Sequence, residues 1–342
     1  MGRRFDTLRS VLAAIGALAI LLVSQTALAA QSQTIVDTAY VADALKRHAI
    51  VWDVRPAAAY KLGHIPGATN IDDIRTALRN ENSEEYLPLP ELERRLGAAG
   101  IDPSKEIIVY GAKASSIAYM GLVTLQYLGA SNAKVFHGGF EDWKDARQPV
   151  TTVPTHLPPV TLKLSTRPDM LITTSELVRR LHDPSLQILD VRRPTEFSGE
   201  EIHALRGGHI PGAIPIYFMQ NVVDPEAQKK LDSKQISSTD GLNLKSPDQL
   251  REVYAKLDPN KETIVYCQSG VRASETATIL KTIGFSNVRV YKSSWLGYGN
   301  TLDAPAEDVT FLNIDLLQDK LRTLQQRVEG LEKAPSSAKR DY

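Results

Sequence analysis

The chain repeats itself, and that repetition restricts its architecture more than any other feature. Val51-Trp52-Asp53-Val54-Arg55, followed by Gly63-His64-Ile65-Pro66-Gly67-Ala68, returns as Ile188-Leu189-Asp190-Val191-Arg192 followed by Gly208-His209-Ile210-Pro211-Gly212-Ala213. Pro103-Ser104-Lys105-Glu106-Ile107-Ile108-Val109-Tyr110 likewise returns as Pro259-Asn260-Lys261-Glu262-Thr263-Ile264-Val265-Tyr266. The order of blocks is kept while the spacing between them grows in the second copy, which indicates duplication of a whole domain, not a short solenoid repeat. Within each copy, short apolar runs alternate with helical stretches; in the first these are Ile50 to Val54, Leu92 to Ala99, Ile107 to Tyr110, Ala118 to Leu128 and Ala133 to Phe136. That alternation predicts an α/β fold, each copy a doubly wound, mainly parallel sheet flanked by helices. Pro149, Pro154, Pro158, Pro159 and Pro168 punctuate the stretch between the copies, so the domains are expected at 35–152 and 171–305 with a linker over 153–170.

Composition narrows the function. The 40 Lys and Arg balance the 40 Asp and Glu, so no global basic field favours nucleic acid or anionic lipid, and no nucleic-acid partner is expected. A hydrophobic fraction of 42% against 23% charged residues leaves enough apolar surface for two real cores. Cys267 is the single cysteine, which excludes an intrachain disulfide and the thiolate cluster of a structural zinc or iron–sulfur site. No metal or other cofactor is expected.

The ends have their own patterns. Arg3, Arg4 and Arg9 precede an apolar run from Val11 to Val23, and Ala27-Leu28-Ala29 supplies small residues after it. This reads as a secretory signal over 1–29 with cleavage near Ala29 and a periplasmic or secreted mature chain; an uncleaved N-terminal membrane anchor is the alternative, although the run falls short of a spanning helix. Ile314, Leu317, Leu321, Leu324, Val328 and Leu331 follow the a/d rhythm of a coiled coil and predict an amphipathic helix over 312–331. Self-association through 314–331 and packing of that helix on its own domain are the two readings. Ala334-Pro335-Ser336-Ser337 reads as disordered.

Cys267 ends the apolar run Thr263-Ile264-Val265-Tyr266 and opens Gln268-Ser269-Gly270-Val271-Arg272, after which Ala273 to Leu280 reads as helix. A strand, a short loop and a helix N-terminus place the sulfur where backbone N–H groups and the helix dipole favour negative charge. Gly270 lets the loop curl into a nest of amides, and Arg272 adds a planar cationic fork for an oxyanion. Together they describe an activated nucleophile with an anion cradle, the alternative being an inert buried thiol.

These residues resemble the rhodanese-like sulfurtransferases. Cys267-Gln268-Ser269-Gly270-Val271-Arg272 looks like their six-residue active-site loop, and the paired Asp-Val-Arg and Gly-His-Ile-Pro-Gly-Ala blocks look like the family's other signatures; the tandem form covers the chain from about 35 to 305. The resemblance implies two tandem rhodanese-like domains, with a C-terminal copy whose cysteine takes sulfane sulfur from a small-molecule donor as a persulfide and passes it to a thiophilic acceptor. In the first copy Gly111 stands where Cys267 stands, within Gly111-Ala112-Lys113-Ala114-Ser115-Ser116, so that domain is expected to be non-catalytic and Lys113 to be solvated.

Catalysis is thus assigned to Cys267, and substrate binding to Gln268, Ser269, Gly270, Val271 and Arg272. Arg206, which has no counterpart in the first copy, is expected to reach the donor's anionic end. Asp190 is a supporting residue, either orienting Arg272 by a bidentate pair or holding its own turn as Asp53 does in the inert copy. His209 and His64 share a position and are read as structural, and Trp295 and Trp143 as packing. Tandem thiosulfate enzymes often carry an Arg where this chain has Glu196. The main reading is a thiosulfate sulfurtransferase. A 3-mercaptopyruvate sulfurtransferase is the alternative within the fold, matched by Ser269, Gly270 and Val271 but not by Gln268 or Arg272. A cysteine phosphatase is disfavoured because Arg272 comes one residue too soon. From another class, the competitor is a non-catalytic exported binding module.

Overall fold

A computed structural model describes residues 33–80, 84–312 and 314–333. The signal-like segment 1–29 and the tail from Ala334 lie outside the described residues. Each copy builds its own parallel sheet. The first comprises β1 (Ile35–Val36), β2 (Ile50–Asp53), β3 (Ala68–Asn70), β4 (Ile107–Tyr110) and β5 (Ala133–Phe136) in the order β1-β5-β4-β2-β3. The second comprises β6 (Leu186–Asp190), β7 (Ile214–Pro215), β8 (Glu262–Tyr266) and β9 (Val288–Val290) in the order β7-β6-β8-β9. All pairings are parallel, with Asp53 opposite Tyr110 and Asp190 opposite Tyr266. Helices cover both faces, which is why the central strands read as unbroken apolar runs and not as alternation.

The domains meet through two helices, Ser116–Tyr127 and Val271–Thr282. Residues Ala118 to Leu125 are all buried, because this helix lies between its own sheet and the second domain. Val123 accordingly belongs to the core of the second domain, and Val271 packs against the core of the first.

The proline-punctuated stretch between the copies is a strap and not a free linker. Val160 N–H donates to Gly97 O at 2.9 Å, Leu164 N–H to Glu93 Oε1 at 2.8 Å and Arg167 N–H to Tyr127 O at 2.7 Å. Leu157, Leu162 and Leu164 pack on the first core. The second domain also continues past 305: His209 and Glu307 exchange backbone hydrogen bonds at 3.0 Å, and Gly207 N–H donates to Thr310 O at 2.9 Å. Beyond it runs the helix Ile314–Lys333, on which Ile314, Leu321, Leu324 and Val328 stand exposed, so these four do not pack on the chain's own domains. Among the described residues, no helix is long and apolar enough to cross a membrane.

One carboxyl lies at the seam between the helices. Glu275 is buried, receives the Ser116 hydroxyl proton from the other domain, and faces the phenols of Tyr119 and Tyr254. Desolvation raises its pKa from 4.5 to about 7, against the hydrogen bonds from Ser116 and Asn221. Between these two values the folded protein holds a proton that the unfolded chain has released, so this group makes stability fall as pH rises through that window. Melting curves from pH 5 to pH 8 are expected to show a smaller decline for Glu275→Gln than for the wild type, with the substitution raising the melting temperature most at pH 8.

Candidate active site

β8 delivers Cys267 to the C-terminal end of the sheet, where open α/β sheets place their ligands. The chain leaves it as a tight loop. Gly270 has φ +82°, and a Cβ there would come within 2.5 Å of Lys292 O, so only glycine fits the turn that starts the helix at Val271. The loop is anchored from the following segment: Cys267 N–H donates to Ser294 Oγ at 3.1 Å, Trp295 N–H to Cys267 O at 3.0 Å and Leu296 N–H to Gln268 O at 2.9 Å. Ser294 Oγ lies 4.0 Å from Cys267 Sγ. Among the described residues, no backbone carbonyl accepts from the N–H groups of Gln268 through Ala273. Unclaimed donors at a helix start can cradle an anion, and Cys267, which opens this loop, is 1% exposed.

Arg272 stands over the same loop, but it does not stand alone. Its Nη1 and Nη2 donate to the two oxygens of Glu196 at 2.7 and 2.8 Å, a bidentate pair in which Glu196 is 2% exposed. Burial opposes the charge of Arg272, yet the hydrogen bond to Glu196 and the charges of Cys267, Glu196 and Asp190 outweigh it and raise its pKa. Burial likewise works against the Glu196 carboxylate, and Arg272 outweighs it and lowers its pKa. The aromatic ring of Phe218 lies 5.8 Å from the Arg272 guanidinium carbon.

Of the two readings of Asp190 the structure bears out the one in which it holds its own turn, and the reading of Arg206 is corrected. Asp190 does not orient Arg272. Its carboxylate is occupied by Arg192 of its own block, with Nε at 3.1 Å from Oδ1 and Nη2 at 2.7 Å from Oδ2, while Arg192 Nη2 also reaches Gly208 O at 2.8 Å. The same device joins Arg55, Asp53 and Gly63 O in the first copy, which has glycine at the position of Cys267, so its role is to hold the fold. Arg206 does not reach toward a donor either. It is buried, and its Nη2 donates to Thr301 O at 2.9 Å and Ala304 O at 2.7 Å, because the chain past the last strand folds back over it. Among the loop residues, Gln268 turns its amide to His203 O at 2.8 Å. His209 bonds Phe197 O and Glu307 through its two ring nitrogens, and Trp295 donates to Arg206 O.

In the first copy the corresponding loop is filled. A Cβ at Gly111 would come 2.9 Å from the Ser115 side chain. Lys113, expected in solvent, is instead buried with Nζ 2.7 Å from Asp142 Oδ1. The first domain nevertheless touches the Cys267 loop and the segment that anchors it through residues that no motif marked. Arg79 Nη2 donates to Ser269 O at 2.8 Å, and Lys292 Nζ donates to Glu84 O at 2.6 Å and to Glu85 Oε2 at 2.8 Å. Burial pulls the Lys292 pKa down to about 8, with Glu85 pushing the other way. A cleft of about 1060 Å³ runs along this seam past Tyr86, Tyr127, Leu171, Arg289 and Lys292, without reaching Cys267.

Comparison with known proteins agrees with the duplication. The sequence profile of the rhodanese-like domain matches residues 37–146 and again 173–301. The chain is 30% identical over 260 residues to a thiosulfate sulfurtransferase of Corynebacterium glutamicum, covering 72% of this chain and 81% of that protein. It is 30% identical over 264 residues to the thiosulfate sulfurtransferase of Azotobacter vinelandii, covering 75% and 90%. Among solved structures, an anaerobic ergothioneine biosynthesis enzyme from Chlorobium limicola superimposes with a TM-score of 0.68 at 23% identity, covering 81% of this chain and 70% of that one. At that identity the likeness concerns the fold.

The Arg272–Glu196 pair makes a measurable claim. Arg272→Ala leaves Glu196 buried without its cation and is expected to cost about 2–3 kcal/mol in urea unfolding, the low side for a broken buried pair because Arg272 retains some water. The double variant Arg272→Met, Glu196→Leu is expected to recover most of that loss.

Proposed function

The chain belongs to the rhodanese-like domain family, and from that membership we propose that it is a sulfurtransferase acting through Cys267, with thiosulfate as its donor. The Cys267 thiolate attacks the outer sulfur of thiosulfate. A Cys267 sulfur–sulfur bond forms as the bond to the sulfonate sulfur breaks, and the electron pair departs with sulfite. The persulfide then yields its outer sulfur to cyanide or to a thiol, regenerating the Cys267 thiolate, a ping-pong scheme needing no cofactor. What carries this reading is the loop from Cys267 to Arg272: unclaimed N–H groups at a helix start beside the chain's single cysteine. They stabilise negative charge on the thiolate, on the terminal persulfide sulfur and on the departing sulfite without reorganising.

Glu196 bears on the choice of donor. It already occupies the fork of Arg272, so a dianionic donor must share that guanidinium with a carboxylate. Rates of sulfur loading from thiosulfate and from 3-mercaptopyruvate, measured side by side, decide between the two donors. Faster loading from 3-mercaptopyruvate would replace the thiosulfate assignment. In either case mass spectrometry is expected to show one added sulfur on the Cys267 peptide, and Cys267→Ser is expected to lose loading completely while keeping its melting curve.

We further propose that the exposed heptad stripe pairs two chains through 314–331. Removal of residues 313–342 is then expected to lower the mass seen by light scattering from dimer to monomer and to leave sulfur transfer intact. Equal masses would exclude the pairing.

A further inference from the structure

We propose that Arg79, on the domain without a nucleophile, is a positioning residue that sets the amide cradle around Cys267. The inference rests on the assignment of Cys267 as the nucleophile. Arg79 is 2% exposed, and its guanidinium makes four contacts to three residues: Nη2 to Ser269 O at 2.8 Å, Nε to Glu84 O at 3.0 Å, Nη1 to Met120 Sδ at 3.2 Å, and Nη2 again to the Glu84 carboxylate at 2.8 Å. Only the first of these lies in the other domain, and it falls in the middle of the catalytic loop.

The peptide plane explains what that contact does. In a trans peptide the carbonyl and the following N–H point to opposite sides. A charged donor holding Ser269 O on the side of the first domain therefore turns the Gly270 N–H the other way, into the loop that Cys267 opens. Gly270, with φ +82° and no Cβ, has more rotational freedom here than any other residue and most needs an external hold. The next carbonyl is held as well, since Gly270 O accepts from both the N–H and the Oγ of Ser274. Between them these bonds fix both peptide planes flanking Gly270. The guanidinium also polarises the peptide whose N–H it orients, strengthening that donor toward an anion. The strand-like bridge that pairs Arg79 with Tyr86 is itself flanked by contacts to the second domain: Ser293 Oγ donates to Glu85 Oε1 at 2.6 Å beside the Lys292 contacts, and Lys292 O is the atom that closes over Gly270. The domain that lost its own nucleophile thus supplies part of the geometry of the other one.

The test uses the single cysteine and the whole chain. The rate of Cys267 carboxamidomethylation by iodoacetamide at fixed neutral pH reports thiolate stabilisation without reference to any sulfur donor. Arg79→Ala is expected to slow that reaction roughly tenfold, below the 100-fold or greater loss from removing an oxyanion donor outright. It is also expected to lower kcat for sulfur transfer more than it changes KM. Arg79→Lys is expected to restore part of both. A merely structural role predicts the opposite sign, because loosening the seam exposes a buried thiol and speeds alkylation. An alkylation rate in Arg79→Ala equal to or faster than wild type overturns the proposal. Should Arg79→Ala lack a cooperative melt, Arg79→Met fills the same space beside Met120 and is read by the same criterion. Absence of sulfur loading by wild-type protein would defeat the sulfurtransferase reading while leaving the alkylation comparison valid.

Discussion

A guanidinium in each copy, buried at Arg192 and half-buried at Arg55, holds the sheet to the loop beside it. Arg192 and Asp190 are 3% and 1% exposed, and the guanidinium lies over the rings of Trp295 and Tyr266 as it bonds the carboxylate and Gly208 O. Arg55 repeats the arrangement with Asp53, Gly63 O, Phe140 and Tyr110. Removing either the Asp or the Arg leaves a desolvated charge with nothing to balance it, and the same guanidinium ties its block to the next by its bond to Gly208 O or Gly63 O. This explains why Asp-Val-Arg and Gly-His-Ile-Pro-Gly-Ala travel together, including in the copy with no nucleophile. It also fixes the end of β6 opposite Tyr266, and therefore the point from which Cys267 departs.

Around the sulfur, charge is arranged in pairs. Arg272 is matched by Glu196, and Lys292 by Glu85. The loop's preference for an anion thus rests less on net charge than on oriented backbone N–H groups and the start of the helix from Val271. Such a cradle fits sulfur, whose charge appears on different atoms as the reaction proceeds, because amide dipoles around a loop serve each of them in turn.

The two domains are joined closely in packing. The helices Ser116–Tyr127 and Val271–Thr282 each contribute to the other's core, and the strap over 153–167 lays leucines along the first domain before the chain enters the second. A rigid seam is a requirement for a loop held partly from across it. The buried Glu275 carboxyl at that seam is a cost accepted for a polar contact between domains.

Fold class, duplication, the central strands and helices of the first copy, and the placing of Cys267 between a strand and a helix were legible in the sequence. Each depends on local pattern: apolar runs of strand length, a glycine where a turn must be left-handed, a cysteine between a strand and a helix. The partner of Arg272 was not legible. The strand-end Asp190 invited the pairing, but Arg192 is two residues away and claims it first, leaving Arg272 to Glu196, 76 residues off in sequence. Arg206 read as a ligand for the same reason: nothing local revealed that 301–304 would fold back to receive it. Arg79 carried no signal at all, because its contact with Ser269 spans 190 residues and two domains. The sequence by itself determined which elements form and that Cys267 lies between a strand and a helix, since those follow from propensity and periodicity along the chain. Which charge meets which was decided only by tertiary structure, because a guanidinium bonds whatever acceptor the packing brings within 3 Å, and that distance has no counterpart in sequence separation.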